Sequence, residues 1–417
     1  MLAGPGPAAP YADPLWYSRE SSLYYNVSHE RLGREIRAYV DEFIAPFADE
    51  WEKDGYVSAE ALQRHAMRGY AAVSIFPLSP EHVPLDIPLP GDGKDRISGV
   101  IWGLSCGNSI GCPPVLNYGT PEQKAQFLPD VYASRSKFCL GITEPNAGSD
   151  VAGIKTTAER KGDVYVVNGA KKWITNGIYA DWCTAAVRTG GSGKGGISAL
   201  IIPLKARGVT RKKMQNSGVN ASSTYIEFDD AEVLIANLLG NENEGFEIVI
   251  SDFNHERIWL ATTSLRLARV CAEDSYNYAI ECEVFGKKLY GSQVIRAKLS
   301  SIGRQIDPAS AYMEQLVYWM MVAHRDQNPK LRKIRHHQMG GLIANLKVMA
   351  GRVLENVTHE AQQVLGGTGY NRAGKGARVE QISRDVRVMG VGGGSDEILT
   401  ELALNQEVRF LSAMAKL

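Results

Sequence analysis

The chain has 417 residues, of which 44% are hydrophobic and 22% charged, so it is long enough for two or three domains with substantial cores. Lys and Arg together number 46, as do Asp and Glu, and the formal net charge is zero. This balance argues against a protein that mainly coats nucleic acid or an anionic membrane. The 6 cysteines include no C-x-x-C pair, so we expect reduced thiols and neither a metal site nor a redox motif.

The two chain ends carry different signals. Residues 2–14 are rich in Pro, Gly and Ala and have neither a basic region nor an apolar run, so we expect a flexible lead and no secretory signal. No apolar run approaches the length of a membrane span. The last three residues, Ala415-Lys416-Leu417, are close to the Ser-Lys-Leu peroxisomal signal. They predict a peroxisomal location, with the cytoplasm as the alternative.

Residues 28–137 follow a helical pattern. Apolar residues recur at helical spacing between Leu32 and Ile44, and Pro46 bends or ends that run. Ser58 is a plausible cap for a second helix. The stretch Thr120-Pro121-Glu122-Gln123 has the pattern of a capping box with proline at the first helical position. A proline-rich loop is expected over residues 79–96.

From residue 138 to about 245 the pattern changes to short β-branched and aromatic runs between turns, which predicts a β-barrel or sandwich. Asn168-Gly169 directly follows one such run and predicts a hairpin turn there. The predicted strands are residues 165–167, 172–175, 182–188, 197–202 and 224–228.

From residue 246 onward the pattern is helical again, and the lengths of the helices and their short connections fit a four-helix bundle. The expected helices are about 246–282, 291–325 and 336–365, followed by a glycine-rich segment at 366–370 and a last short helix. The fold class expected from the whole chain is therefore mainly α with a central β domain.

Two stretches carry the clearest chemical signal, Leu140–Asp150 and Lys172–Gly177. In the first, Pro145 and Gly148 favour a tight loop whose backbone N–H groups are free to face a polar ligand. The second ends a predicted strand with the indole of Trp173 and a hydroxyl. Such a surface would suit a flat heteroaromatic ring, although an ordinary surface loop beside a hairpin explains the same residues.

The paired motif T-E-P-x-A-G-S-D and K-x-W-I-T-N-G resembles the flavin-binding signature of the acyl-CoA dehydrogenase family, and the resemblance extends from about Ser28 to the C-terminus. It implies an N-terminal helical domain (28–137), a small β domain (138–245) and a C-terminal bundle (246–417), after a lead of residues 1–27. It also implies an enzyme that uses FAD to desaturate an acyl-CoA, with an electron-transfer partner or oxygen as acceptor. Family members are homodimers or homotetramers that bind flavin across a subunit boundary.

The resemblance also assigns roles to individual residues. Ile142 and Thr143 should meet the pyrimidine end of the flavin, Trp173 a ring edge and Thr175 the region of N5, with Ser149 near a phosphate of the cofactor or substrate. The positions that match adenosine-side and phosphate-binding motifs are Phe285, Gln293, Gln363, Gly366, Gly367, Ser395 and Glu397. The positions expected to contact substrate are Ser149, Asn254, Arg257, Gly393 and Gly394.

The chain departs from the family pattern at two positions. Many members have an arginine where this chain has Cys282, which weakens the expected grip on pyrophosphate. Most members carry the catalytic glutamate where this chain has Gly393. A minority, the isovaleryl- and long-chain-like members, carry the base on a bundle helix, and Glu256 stands at that position. The spacing of Val249, Phe253, Leu260 and Leu267 predicts that Glu256 lies on an apolar stripe, where burial would raise its pKa.

Other readings of the sequence remain open. The substrate could be a small molecule without CoA, as in the family's nitroalkane-oxidising branch, or the chain could retain flavin without turnover. The segment Gly191–Gly196 matches G-x-G-x-x-G but precedes a predicted strand, so we expect a mobile hairpin loop there and no dinucleotide site. Basic residues between Lys330 and Arg335 are interpreted as a solvated loop, with a nucleic-acid surface as the less favoured alternative.

Overall fold

A computed structural model describes residues 9–18, 22–86, 106–218 and 222–414. The C-terminal tripeptide and most of the predicted proline-rich loop lie outside these residues. The chain divides into two compact units. One runs from Arg31 to Asn216 and resumes in the segment that ends at Phe253, and the other contains the residues before Arg31 and those from Asn254 onward.

The helices of the first half are α1 Leu15–Ser18, α2 Val27–Phe43, α3 Ala48–Asp54, α4 Ala59–Met67, α5 Tyr70–Val73, α6 Gly107–Gly111, α7 Pro113–Tyr118 and α8 Pro121–Tyr132. Two predicted caps are confirmed. The Ser58 hydroxyl accepts a hydrogen bond from the Ala61 N–H at 3.2 Å and starts α4. At α8 the Thr120 hydroxyl and the Gln123 side chain each accept the other residue's backbone N–H, as a capping box requires.

The strands are β1 Phe138–Gly141, β2 Thr157–Lys161, β3 Val164–Ile174, β4 Trp182–Arg188, β5 Ile197–Pro203, β6 Val209–Lys213, β7 Thr224–Leu234, β8 Leu238–Leu239, β9 Glu283–Val284 and β10 Lys287–Lys288. The first eight form one mixed sheet in the order β6-β7-β3-β2-β4-β5-β8, and β1 pairs in parallel with β4. The predicted central β domain is therefore present.

The hairpin predicted at Asn168-Gly169 is wrong, because β3 continues through both residues as one strand of 11 residues. Its pairing with β7 shifts register between Val167 and Gly169, so the two residues form an irregularity within the strand. Gly169 has a φ of 141°, and a Cβ there would lie 2.7 Å from the Cα of Thr156. The glycine therefore permits a close backbone approach and not a turn.

Two clusters of buried side chains in this unit involve the sheet. One combines helix residues such as Leu128 and Val131 with strand residues such as Phe138 and Ile201. The other is formed mainly by strand residues, including Tyr165 and Phe228. Since the sheet contributes to both clusters, it has apolar residues on both faces, which explains the unbroken apolar runs of β4 and β5.

The helices of the second half are α9 Gly245–Ile250, α10 Phe253–Glu281, α11 Gln293–His324, α12 Pro329–Gln338, α13 Gly340–Leu365, α14 Ala377–Val391 and α15 Asp396–Met414. Helix α13 lies against α11, α14 and α15 and is the most buried helix of the bundle. Among the residues that the structure describes, no helix is long and apolar enough to cross a membrane.

Three sequence expectations need correction here. The single helix expected over 246–282 is interrupted at residues 251–252, so Val249 lies on α9 and not on the stripe of α10. The basic run from Lys330 belongs to α12 and is not a loop. The last short helix is in fact two helices, α14 with 15 residues and α15 with 19.

Candidate active site

The T-E-P-x-A-G-S-D loop follows β1 and is fixed by the carboxylate of Glu144. One Glu144 oxygen accepts the Lys155 N–H at 2.6 Å, and the other accepts the Thr156 N–H at 3.0 Å and the Lys171 ammonium at 2.7 Å. The same ammonium donates to the Ile142 carbonyl at 3.1 Å. One buried ion pair therefore joins both ends of the loop to β3.

Burial and pairing act in opposite directions on these two charges. Burial alone would raise the pKa of Glu144, but the Lys171 ammonium and the hydrogen bonds from Thr156 and Lys155 hold that pKa below its ordinary value. Burial lowers the pKa of Lys171, whose side chain is fully buried, and the Glu144 carboxylate opposes that change. The favoured state is the charged pair, because each partner supplies the other's missing solvation.

The K-x-W-I-T-N-G stretch places an aromatic ring at the surface beside this loop. The pairing of β3 shifts register again between Lys171 and Ile174, and Trp173 adopts a φ of 65° with 52% of its surface exposed. Bulges of this kind redirect side chains next to functional sites. The Lys172 N–H donates to the Thr143 carbonyl at 2.8 Å, so the loop and the tryptophan strand are held together.

The turn that follows Trp173 is held by a residue far away in sequence. Arg211 on β6 donates to the carbonyls of Gly177, Ile178 and Ala180 at 3.3, 3.1 and 2.9 Å. An arginine that satisfies three turn carbonyls fixes the backbone directly after Thr175.

This surface fits the flavin ring. Thr143 and Thr175 are half-buried, Ser149 is exposed, and a Cβ at Gly148 would meet nothing within 4 Å. An exposed indole, several hydroxyls and an open glycine backbone provide an aromatic contact together with hydrogen-bond donors and acceptors. That combination suits a planar heterocycle with carbonyl and ring-nitrogen groups along its edge.

In the bundle unit, α10 meets the glycine loop between α14 and α15. Gly393 has a φ of 64°, and a Cβ built on it would lie 2.9 Å from Leu260 Cδ1, 3.4 Å from Arg257 Cγ and 4.0 Å from Glu256 Cδ. The Arg257 guanidinium donates from Nε to the Gly393 carbonyl at 2.9 Å. The Glu256 carboxyl therefore stands next to the space that a side chain at position 393 would enter.

A buried lysine on α13 completes this group. The ammonium of Lys347, whose side chain is 1% exposed, donates to the carbonyls of Gly390 at 2.7 Å and Gly394 at 2.8 Å. Asp396 Oδ1 lies 3.9 Å from the ammonium, and Asp396 Oδ2 accepts from Arg352 at 3.2 Å. Lys347 thus binds the last turn of α14 and the glycine loop that follows it, and Arg257 binds the same loop at Gly393.

The environment raises the pKa of Glu256 above its ordinary value, chiefly because the carboxyl is desolvated, while Arg257 and Lys347 favour the carboxylate. Burial lowers the pKa of Lys347 to about 8, in spite of Asp396, Glu256 and Glu397. A half-buried carboxylate with a raised pKa and two cations beside it has the properties of a general base that works near neutral pH.

The other residues carried over from the resemblance lie elsewhere in the bundle unit. Phe285 is at the turn between β9 and β10, 97% exposed and with a φ of 51°, and Gln293 opens α11. Gln363 and the two glycines of the Q-x-x-G-G motif are exposed at the end of α13. A bulky exposed side chain in a left-handed conformation is costly, which favours a functional reason for Phe285.

The remaining three positions lie at helix starts. Asn254 lies in the first turn of α10, while Ser395 directly precedes α15 and Glu397 lies in the first turn of that helix. The hydrogen bonds of Glu397 to its own N–H and to Ser395 lower the pKa of its carboxyl. The structure thus brings Glu256, Arg257, Gly393 and Gly394 together within the bundle unit, whereas the flavin-ring residues from Ile142 to Thr175 lie in the other unit.

Sequence reasoning assigned no role to Glu144 and Lys171, although both lie in the paired motif, and it did not identify Arg211 or Lys347. The sequence does contain a signal for Lys171, which is a charged residue on the otherwise apolar buried face of β3. Lys347 similarly stands four residues after Ile343 on the apolar side of α13. A lone lysine on an apolar face is a sign of a buried, partnered charge.

The exposed aromatic and hydroxyl surface lies in one unit, and the half-buried carboxylate beside a glycine loop lies in the other. Comparisons with known proteins define the family. Residues 139–231 match the model of the acyl-CoA dehydrogenase middle domain, and residues 243–406 match that of the acyl-CoA dehydrogenase C-terminal domain.

Relatives and solved structures agree with these matches. The chain is 46% identical to the acyl-CoA dehydrogenase AFT10-1 of Alternaria alternata, over 98% of each chain. It is 27% identical to the mitochondrial long-chain specific acyl-CoA dehydrogenase of Rattus norvegicus, over 92% of this chain and 87% of that one. A probable acyl-CoA dehydrogenase from Mycobacterium abscessus superposes with a TM-score of 0.79 at 30% identity, covering 92% of this chain and 100% of the other.

The chain therefore belongs to the acyl-CoA dehydrogenase family and is an FAD-dependent enzyme. The predicted family, fold class, enzyme class and cofactor are confirmed.

Proposed function

We propose that this enzyme desaturates an acyl-CoA thioester between Cα and Cβ, and that Glu256 removes the proton from Cα. The observation that carries this assignment is the 4.0 Å between the Glu256 carboxyl carbon and the place where a Cβ at position 393 would stand. In most family members, as the resemblance implies, the base projects from that position. A carboxylate could therefore reach this region either from position 393 or from α10, and we propose that this chain uses Glu256 on α10.

Position 393 is unsuited to a base in this chain. Glycine has no titratable group, and its φ of 64° is a conformation that other residues adopt only at a cost. Asp396, the next carboxylate after the glycine loop, points toward Lys347 and Arg352. Among the described carboxylates near the glycine loop, Glu256 is the one whose pKa is raised.

The electrostatics of Glu256 suit its proposed role. Desolvation raises its pKa and makes the carboxylate a stronger proton acceptor, while Arg257 and Lys347 oppose that rise and favour the ionised form. Arg257 has a second effect, because its hydrogen bond to the Gly393 carbonyl fixes the peptide that faces the carboxylate. The proton of Cα would pass to a carboxylate oxygen that is already desolvated.

The other unit would hold the cofactor through the residues around Glu144. When bound, FAD supplies the hydride acceptor for Cβ. Trp173 would supply an aromatic contact to the ring, and the hydroxyls of Thr143 and Thr175 would supply hydrogen bonds to its polar groups. Lys171 keeps the loop in the conformation in which Ile142 and Thr143 present their backbone to the ring, since its ammonium holds both the Glu144 carboxylate and the Ile142 carbonyl.

We also infer that the active protein is a homo-oligomer. The support is Phe285, which is 97% exposed and has a positive φ, and the open surface at Gly366 and Gly367, where a Cβ would meet nothing within 4 Å. Family members use these positions to contact the flavin of a neighbouring subunit. Light scattering on the FAD-loaded protein should give a mass of two or four chains, and a monomer that retains FAD and turnover would contradict this inference.

The base assignment is tested by Glu256→Gln under anaerobic conditions, with a panel of acyl-CoAs of different chain length. Wild-type enzyme should bleach its flavin with at least one of them. The Glu256→Gln enzyme should retain FAD and bleach at least about 10²-fold more slowly, the lower range for loss of a general base. Equal rates would reject the assignment.

Glu314→Gln is the matched control. Desolvation also raises the pKa of Glu314, on α11, but this carboxylate lies near Arg269 and not at the glycine loop. Its substitution should leave the bleaching rate within about two- to threefold of wild type. A loss equal to that of Glu256→Gln would show that any half-buried carboxylate of the bundle is needed, and the assignment to Glu256 would fail.

A further inference from the structure

None of the sequence motifs includes Lys347. Its ammonium nevertheless contacts a carbonyl in the last turn of α14 and another in the glycine loop. Its side chain is 1% exposed, and its ammonium donates to the carbonyls of Gly390 and Gly394 at 2.7 and 2.8 Å. An unpaired cation is costly to bury, so a lysine in this place needs a physical reason.

The ammonium is only partly neutralised. It has three donors, and two carbonyls occupy two of them. The Asp396 carboxylate lies 3.9 Å away, too far for a hydrogen bond, and it is shared with Arg352. The charged groups that act on Lys347 are Asp396 and Glu397 from α15 and Glu256 and Arg257 from α10. A positive charge thus remains beside the glycine loop and within range of Glu256.

We propose that Lys347 is a positioning residue for the reaction: its ammonium holds the glycine loop on α13 and favours the carboxylate form of Glu256. The inference rests on the proposed role of Glu256 and goes beyond it. Arg257 binds the Gly393 carbonyl, and Lys347 binds the carbonyls of Gly390, in the last turn of α14, and of Gly394, so two cations hold three carbonyls of this segment. The same two cations are the groups that oppose the rise in the pKa of Glu256.

The test is the pH profile of kcat/KM for wild type, Lys347→Gln and Lys347→Arg. Glutamine keeps N–H donors for the carbonyls and removes the charge, whereas arginine keeps the charge. The acid limb, which reports the ionisation of the base, should move up by roughly 1 pH unit in Lys347→Gln and return toward the wild-type position in Lys347→Arg. A purely structural lysine would change the height of the profile but not the position of this limb.

Lys298→Met is the matched control. Lys298 on α11 pairs with Glu360 of α13 at 2.6 Å, so its substitution removes another ammonium that contacts α13, but one whose partner is not in the glycine loop. Its acid limb should coincide with that of wild type. An acid limb that is unmoved in Lys347→Gln, or equally moved in Lys298→Met, would overturn the proposal.

A second measurement keeps the proposal testable if Lys347→Gln does not fold. Interaction between two titrating groups is reciprocal, so Glu256→Gln should lower the pKa of Lys347 from its value of about 8. Lysine labelled with ¹³C at Cε reports that titration by NMR, with Lys347→Arg to assign the signal. An unchanged Lys347 titration would overturn the proposal. Retained turnover in Glu256→Gln would instead show that the base assignment itself is wrong, so the two failures are distinguishable.

Discussion

Each unit of this protein buries one lysine against a functional loop, and the two lysines are used differently. Lys171 is paired at 2.7 Å with a carboxylate that also accepts two backbone N–H groups. Lys347 donates to two carbonyls, and the carboxylate of Asp396 lies 3.9 Å from its ammonium. The charge of Lys171 is neutralised by Glu144 while the pair fixes a loop. The charge of Lys347 is only partly neutralised and acts on the neighbouring carboxyl of Glu256.

This difference matches the chemistry of the two sites. A cofactor surface needs a fixed backbone and gains nothing from a residual charge, so a neutral buried pair suits it. A general base needs a pKa suited to its working pH. A cation such as Lys347, whose hydrogen bonds go to carbonyls, can lower the pKa of a nearby carboxyl and also fix the backbone. A buried lysine thus has a different role when its hydrogen-bond partner is a carboxylate, as for Lys171, than when its partners are carbonyls, as for Lys347.

The largest expected effect comes from breaking the neutral pair. Lys171→Met leaves the Glu144 carboxylate buried without a cation and should lower the free energy of unfolding by about 3–5 kcal/mol, with loss of FAD. The double variant Lys171→Met/Glu144→Gln should recover part of the lost unfolding free energy, because the glutamine oxygen can still accept the Lys155 and Thr156 N–H groups. A single variant as stable as wild type in urea would show that the pair is not what fixes the loop.

The pH dependence of that deficit follows from the Glu144 pKa, which lies below its ordinary value of 4.5 in the folded protein. Stability from the ionised carboxylate is present above about pH 4.5 and is lost as the pH falls through the lowered folded-state pKa. The difference between wild type and Lys171→Met should therefore shrink in acid. A constant difference from pH 7 to pH 3 would contradict the ion-pair explanation.

A smaller difference in stability is expected between alanine substitutions at Gly393 and at Gly148, one glycine from each loop. Gly393→Ala places a Cβ 2.9 Å from Leu260 at a φ of 64°, and should cost about 1–2 kcal/mol of unfolding free energy. Gly148→Ala meets nothing within 4 Å and should stay within about 0.5 kcal/mol of wild type. Urea unfolding of the two variants side by side measures this contrast. Equal values would mean that the conformation of position 393 does not exclude a side chain.

The smallest expected effect concerns the missing arginine of the FAD site. Cys282 is half-buried directly after α10, and its backbone carbonyl already accepts the Leu289 N–H at 2.9 Å. Cys282→Arg should tighten FAD binding by about 1 kcal/mol if a charge-assisted bond to pyrophosphate forms. Fluorescence titration of the apoprotein gives the dissociation constant. An unchanged or larger value would show that this chain binds pyrophosphate without position 282.

The sequence predicted what depends on local chemistry. The caps at Ser58 and Thr120 and the strand Trp182–Arg188 follow from residues within one turn or one strand, and each half of the flavin signature is a short contiguous motif. The errors arose where tertiary contacts decide. Asn168-Gly169 has the local form of a turn, but the close approach of Thr156 makes it part of a continuous strand.

The roles of the buried charges could not be predicted from the sequence. Lys347 and the glycine loop are more than 40 residues apart in the chain, and nothing near either one indicates that they meet. The placement of Glu256 beside position 393 likewise depends on how α10 and the loop after α14 pack. Family resemblance supplied Glu256 as a candidate, while the distance to the empty side-chain position supplied the physical argument.

The central claim is that Glu256 removes the Cα proton, and exchange of that proton measures it most directly. An acyl-CoA with sulfur in place of C3 cannot lose hydride, so loss of the Cα proton is observed alone. In D₂O, wild-type enzyme should exchange the Cα protons of this compound, seen as a mass increase, and Glu256→Gln should exchange them no faster than buffer does. Exchange by Glu256→Gln at the wild-type rate would contradict the claim.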